Sequence, residues 1–194
     1  MHPKATDPMQ LSTDDVLSIP VPPHLRGYEL ENGEPVAVSL PAPHHGRLVA
    51  QVIVEIELHL RRHPGRGRVY GEVGYVLDLP ADPERLRGPD VSFVSAERIR
   101  SSGGEPDRGW FRLVPDLVVE IDSPGRRPVI GQRRIQDYLE AGVRLLWVIH
   151  AATRSATVYD THGGVRLVRE DGSLDGEDVL PGLHVTLAEL FRTD

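Results

Sequence analysis

The segment Pro115–Pro124 has the sequence PDLVVEIDSP, in which an aliphatic run predicts a buried central strand that also carries acids. The aliphatic residues at positions 117, 118, 119 and 121 form a run that is typical of a strand covered on both faces. Glu120 interrupts this run, and Asp122 follows it. Because an ionised carboxylate is costly to bury alone, we expect a metal ion, an arginine or a set of strong hydrogen bonds beside Glu120.

A second apolar strand follows this segment after one helix. Residues 144–149 (RLLWVI) are nearly all apolar, and a helical pattern at about 130–141 precedes them and ends at Gly142. A strand–helix–strand connection is typical of parallel strands that lie side by side. The two strands are therefore predicted to form the centre of one sheet.

Two hairpins are predicted, one towards each end of the chain. Residues 28–40 (YELENGEPVAVSL) contain two strand patterns around an Asn32-Gly33 pair, which is a strong signal for a two-residue turn. Residues 155–159 and 165–168 form the second pair of strand patterns. These hairpins extend the predicted β structure beyond the central strands.

The remaining elements complete an α/β pattern. Residues 45–62 fit both a helical stripe and a strand alternation, and we favour a helix because the segment is long and has no Gly or Pro after Gly46. Residues 89–94 predict a short strand that begins beside Asp90. The sequence thus predicts a mixed β-sheet flanked by helices.

The length of 194 residues fits one domain with a sizeable core, given a hydrophobic content of 39%. Residues 1–20 are polar, contain three prolines and lack periodicity, so they are predicted to be a poorly ordered tail. The single domain is therefore expected to span residues 21–194.

Composition excludes several classes of site. The chain has no cysteine, which leaves carboxylates and histidines as the expected metal ligands.

No segment has the length and apolar character of a signal peptide or a membrane span, so we expect a cytoplasmic protein without membrane contact. The net charge of −7 argues against a broadly basic surface, but it allows a local basic lining. Lys4 is the only lysine among the 22 basic residues.

Asp90 and Glu120 are the main candidates for chemistry, since each lies at or within a predicted central strand. Two carboxylates that converge with a backbone carbonyl and waters suit Mg²⁺ or Mn²⁺. Such an ion lowers the pKa of a bound water and neutralises charge on a phosphodiester. In the alternative interpretation, Asp90 caps a turn after Pro89 and Glu120 pairs with an arginine.

Other polar patterns are weaker or remain open. His59 and His63 have the spacing of helical metal ligands, but His63 precedes Pro64, where a helix should end. An arginine cluster lies between the central strand and the next helix. The cluster consists of Arg126, Arg127, Arg133 and Arg134. These arginines either contact a nucleic-acid backbone or neutralise the neighbouring acids.

Several motifs resemble the Uma-two family of putative restriction endonucleases, which belongs to the PD-(D/E)XK nuclease superfamily. They are a Pro-Asp-Val at 89–91, the strand at 115–121, and the segment YLEAGVRLLWVI at 138–149. Their order and spacing carry the resemblance over most of the chain. The family implies a restriction-endonuclease-like core and Mg²⁺-dependent hydrolysis of DNA phosphodiesters.

The resemblance also implies roles for individual residues. Asp90 corresponds to the first acid of the motif and Glu120 to the second. The superfamily lysine normally follows the second acid by two positions, where this chain has Asp122. In the Uma-two pattern the lysine comes from the following helix, four residues before Tyr138, where this chain has Arg134. Arginine is a poor proton acceptor, so this departure bears on catalysis.

Two early residues match the family pattern and are expected to support the site. These residues are Glu34 and His45. For each, a structural role in a turn or a helix start is the alternative. The family also leads us to expect a homodimer.

Three functions follow from the sequence. In the first, the protein is a metal-dependent DNA endonuclease in which Asp90 and Glu120 hold the ion, Asp122 assists and Arg134 supplies positive charge. In the second, it is a catalytically silent relative that binds DNA or oligomerises. The third, less favoured, is a metal hydrolase that acts on a small substrate.

Overall fold

A computed structural model describes residues 10–122, 131–160 and 162–192. The helices are α1 Thr13–Val16, α2 Pro43–Arg62, α3 Ala96–Ser101, α4 Gln132–Ala141 and α5 Leu187–Leu190. The strands are β1 Leu25–Glu31, β2 Glu34–Ser39, β3 Gly67–Gly71, β4 Tyr75–Val76, β5 Leu86–Arg87, β6 Val91–Ser95, β7 Leu117–Asp122, β8 Leu145–His150, β9 Ser155–Asp160, β10 Val165–Val168, β11 Ser173–Asp175 and β12 His184–Thr186.

The main sheet is mixed, as the sequence predicts. Within the described residues it has six strands in the order β10-β9-β8-β7-β6-β3. Strands β7 and β8 are parallel, while β6 and β7 are antiparallel. The helix between the two parallel strands, α4, ends at Gly142, which adopts the left-handed conformation with φ of 90°. The predicted central pair of strands is therefore confirmed.

Strand β7 is buried on both faces, and its side chains alternate between two cores. Leu117, Val119 and Ile121 pack in the core that contains the buried stripe of α2. Val118 packs in the second core, which contains Tyr138 of α4. Because Glu120 has the same parity as Val118, its side chain lies on the α4 side of the sheet.

Helix α2 confirms the choice of a helix for residues 45–62. Val52 and Ile56 are fully buried, whereas Val54 and Leu58 are exposed. That difference follows the helical period, because alternation along a strand would bury Val54, Ile56 and Leu58 together. In the described parts of the chain, no helix combines the length and apolar character needed to cross a bilayer.

The N-terminal hairpin belongs to a smaller antiparallel sheet with the order β2-β1-β5-β4. Its turn residues Asn32 and Gly33 have φ of 52° and 75°, the positive values that an Asn-Gly hairpin turn requires. Leu30 of β1 pairs with Leu86 of β5. This pairing places β1 beside the chain segment that leads to Asp90.

Residues 10–20 differ from the predicted poorly ordered tail. Ser12 and Asp15 form a capping box at the start of α1. Thr13 is fully buried, and its carbonyl accepts a hydrogen bond from Trp110 Nε1 at 3.0 Å. The helix has only four residues and is held by partners distant in sequence, which is why local periodicity does not indicate it.

Candidate active site

Asp90 lies immediately before β6 and is 4% exposed. Its Oδ2 accepts the backbone N–H of Ile121 at 2.7 Å, and its Oδ1 lies 3.1 Å from His45 Nε2. Val91 pairs with Val119 in the antiparallel β6–β7 ladder. Continuing that register places Asp90 opposite Glu120, so the two predicted acids come together.

Glu120 is also 4% exposed and is held from the α4 side. Its Oε1 accepts hydrogen bonds from the Tyr138 hydroxyl and from Arg134 Nε, both at 2.6 Å. Its Oε2 accepts no hydrogen bond from any residue that the structure describes. One oxygen of Glu120 is thus oriented by the protein, and the other remains available to a ligand.

The two carboxylates differ in their affinity for protons. The pKa of Glu120 is raised to about 7, mainly because burial disfavours its charged form; the charge of Arg134 opposes this effect and that of Asp90 adds to it. Burial also raises the pKa of Asp90, but His45 and the Ile121 N–H outweigh burial, so the pKa is lowered overall. Near neutral pH, Asp90 is therefore ionised while Glu120 exchanges a proton.

This difference predicts a pH-dependent stability. A buried acid with a raised pKa makes the fold less stable as the pH rises from the pKa of the acid in the unfolded chain, 4.5, to its pKa in the folded protein, about 7. Without divalent cations, the free energy of unfolding of Glu120→Gln relative to wild type should increase by roughly 3 kcal/mol between pH 5 and pH 8. Urea unfolding in EDTA at both pH values measures this difference. A constant difference would contradict the assigned titration.

Arg134, which the sequence resemblance predicts to replace a lysine, is engaged by protein groups on all three nitrogens. Besides its bond to Glu120, its Nη1 contacts Glu29 Oε1 and Oε2 at 2.7 and 2.6 Å. Its Nη2 donates to the Gly88 carbonyl at 2.8 Å. Few of its five N–H donors are therefore left for a phosphate.

Sequence reasoning did not identify two residues of this cluster, Glu29 and Tyr138, as site residues. Glu29 lies on β1 and is 6% exposed, while Tyr138 is fully buried on α4. Tyr138 begins the segment at 138–149 that resembles the family, and Glu29 lies in the predicted first hairpin, which were the available signals. Their contacts depend on tertiary packing that no local pattern encodes.

The other predicted site residues have different placements. His45 reaches Asp90, as described above. Glu34 is exposed at the start of β2, and among the described residues no hydrogen bond or ion pair joins it to the site. Asp122 is half-buried, and its Oδ2 lies 3.6 Å from His150 Nδ1. Arg133 is 56% exposed and pairs with Asp137 of the same helix at 3.3 Å.

Arg126 and Arg127 lie outside the described residues.

The donor set at this site suits an ion that needs few protein ligands. In residues 10–122, 131–160 and 162–192, no group of three or more His, Asp or Glu side chains is arranged to hold a metal ion. Mg²⁺ is commonly held by one or two carboxylates, and its other ligands are waters and substrate phosphates. Asp90 together with Oε2 of Glu120 fits this requirement.

Comparisons with known proteins show the family and the fold of this chain. The Uma2 family model, described as "Putative restriction endonuclease", matches residues 14–188. The crystal structure of a putative nuclease belonging to DUF820 from Anabaena variabilis is similar, with a TM-score of 0.75 and 19% identity, covering 93% of this chain and 97% of that chain. A search of curated proteins gives no match. The structural likeness shows a shared restriction-endonuclease-like fold.

Proposed function

The chain belongs to the Uma2 family of putative restriction endonucleases, and we propose that it hydrolyses DNA phosphodiester bonds with a divalent cation. One observation carries the proposal. Asp90 and Glu120 are both buried at the paired ends of β6 and β7, and Glu120 keeps one oxygen without a partner among the described residues. Arg134 compensates part of the charge of these two adjacent acids, and a divalent cation beside the open oxygen of Glu120 would compensate the rest.

In this proposal Asp90 and Glu120 hold Mg²⁺ or Mn²⁺. When bound, the ion supplies a water of lowered pKa and neutralises charge on the phosphodiester. Asp90 provides the permanent negative charge, and His45 fixes its orientation. Tyr138 and Arg134 hold Oε1 of Glu120, which directs Oε2 towards the ion.

Positive charge near the phosphate comes from the arginines in this proposal. Arg134 supplies a fixed charge at the site, and the exposed Arg133 contacts the DNA backbone. Arg126 and Arg127 extend this basic segment in the sequence. Asp122 assists from the end of β7, where it faces His150. We further propose that the active form is a homodimer.

A catalytically silent relative that binds DNA or oligomerises is the second candidate. The observation that favours it is the arginine at the position of the family lysine. Arg134 keeps its proton at all accessible pH values, so it does not act as a proton acceptor. Its nitrogens are also engaged by Glu120, Glu29 and Gly88.

A cleavage assay separates these two candidates. Purified protein is incubated with duplex and single-stranded DNA in Mg²⁺, Mn²⁺ or EDTA. We expect cleavage that requires the cation and that increases about tenfold in Arg134→Lys, equivalent to about 1.4 kcal/mol of activation free energy. Arg144→Lys is the matched control, because Arg144 lies 3.6 Å from Asp116 at the opposite end of β7. Absence of cleavage by both wild type and Arg134→Lys, with Mn²⁺ binding retained, would favour the silent relative.

A further inference from the structure

We propose that Glu29 is a positioning residue that fixes Arg134 and the segment leading to Asp90, so that the N-terminal hairpin completes the catalytic centre. The kinetic part of this inference rests on the proposed nuclease function. The structural part, that Glu29 holds the Arg134 side chain in place, is tested without measuring cleavage. The buried carboxylate of Glu29 makes three sets of contacts, with Arg134, Gly88 and Arg87.

The first contact set is with Arg134 on α4. Both oxygens of Glu29 lie within 2.7 Å of Arg134 Nη1. The same guanidinium donates through Nε to Glu120 at 2.6 Å. Arg134 is thus held between two acids from different sheets, and the direction of its Nε–H towards Glu120 depends on the position of its other end.

The second contact set is with Gly88, two residues before Asp90. Glu29 Oε1 accepts the Gly88 N–H at 2.8 Å, and the Gly88 carbonyl accepts from Arg134 Nη2 at 2.8 Å. Glu29, Gly88 and Arg134 therefore form a closed ring of hydrogen bonds. This ring links the segment that carries Asp90 to the helix that orients Glu120.

The third contact is with Arg87, which anchors Glu29 to the scaffold. Arg87 Nη1 lies 3.2 Å from Glu29 Oε2, and Arg87 Nε donates to Asp137 at 2.8 Å. Asp137 lies on α4, three residues after Arg134. Burial raises the pKa of Glu29, but Arg134, Arg87 and the Gly88 N–H outweigh burial and lower it overall, so Glu29 is ionised at neutral pH.

Glu31 provides a matched control on the same strand. It lies two residues after Glu29, so both side chains project from the same face of β1. Glu31 contacts Arg87 at 2.8 Å and Arg85 at 3.0 Å. Among the described residues it makes no contact with Arg134. A change at Glu31 therefore disturbs the scaffold without directly releasing Arg134.

The kinetic test compares Glu29→Gln with Glu31→Gln in the cleavage assay. We expect kcat to fall about 30-fold or more in Glu29→Gln with little change in KM, and to stay within about threefold in Glu31→Gln. Glu29→Asp keeps the charge but shortens the side chain, so it should fold normally and still lose at least about tenfold in kcat. If Glu29 acts through Arg134, Glu29→Gln combined with Arg134→Gln should be no slower than Arg134→Gln alone.

A second readout needs neither cleavage nor a metal. Guanidinium N–H signals of ¹⁵N-labelled protein, assigned with Arg134→Lys, report whether Arg134 is held. We expect these signals to persist in wild type and Glu31→Gln and to broaden or vanish in Glu29→Gln and Glu29→Asp. Unchanged Arg134 signals in both Glu29 variants would overturn the inference. An inactive wild type with the expected signals would instead count against the proposed function only.

Discussion

We expect Asp90→Asn to lower the metal-dependent cleavage rate by at least about 1,000-fold, which corresponds to about 4 kcal/mol of activation free energy. The substitution keeps the shape of the side chain and an acceptor for the Ile121 N–H, which now lies 2.7 Å from Oδ2. It removes the permanent negative charge of the site. Multiple-turnover cleavage of duplex DNA at saturating Mg²⁺ measures the effect.

Asp116→Asn is the matched control for this substitution. Asp116 is buried, and its Oδ2 accepts the Ser95 N–H at 2.8 Å, so it resembles Asp90 in burial and in backbone contact. It lies at the other end of β7. We expect Asp116→Asn to reduce stability by about 1–3 kcal/mol while the cleavage rate stays within about threefold. Equal losses of rate in both variants would mean that Asp90 acts only through folding.

Asp137→Ala should cause the largest loss of stability, about 3–5 kcal/mol in the free energy of unfolding. Asp137 is 1% exposed and receives hydrogen bonds from two buried arginines, Arg85 and Arg87. Without it, their positive charges lose a buried partner. Urea unfolding at pH 7 followed by circular dichroism measures the change.

Glu140, an exposed acid on the same helix, provides the control substitution for Asp137→Ala. Glu140→Ala should change the free energy of unfolding by no more than about 0.5 kcal/mol. A loss below about 1 kcal/mol in Asp137→Ala would show that the buried arginines are adequately paired by their other acids, Asp82, Glu29 and Glu31.

The main elements of the fold could be predicted because each has a local signal. The aliphatic run that contains Glu120 indicated a central strand, and the helix ending at Gly142 indicated its parallel neighbour. The Asn32-Gly33 pair indicated the first hairpin. Each signal depends on backbone geometry or periodicity within a few residues, which a single sequence contains.

The candidate site could be predicted only in part. Asp90 and Glu120 stood out because an acid in a buried strand needs a partner. Glu29 did not, since its burial depends on Arg134, which is 105 residues away. The same holds for Arg85 and Arg87, which lie in a charged stretch that resembles an exposed loop but are both buried.

Glu34 is a residue that the sequence predicts to support the site but that lies away from it in the structure. It was expected to support the site on resemblance, yet it is exposed beyond the hairpin turn, and Glu29 is the hairpin acid that reaches Arg134. Glu34 pairs directly with Glu31, so it projects from the same face of the hairpin as Glu29, but it lies next to the turn. Its place along the hairpin, and not its face, therefore separates it from Arg134, and that distance depends on how the hairpin packs against α4.

Mn²⁺ binding at pH 8 tests our proposal that Asp90 and Glu120 together hold one divalent cation. Isothermal titration of the DNA-free protein should give one Mn²⁺ per chain, with affinity at least about tenfold weaker in Asp90→Asn and in Glu120→Gln. Asp116→Asn should bind as wild type does. Wild-type affinity and stoichiometry in the Asp90→Asn, Glu120→Gln double variant would contradict the claim.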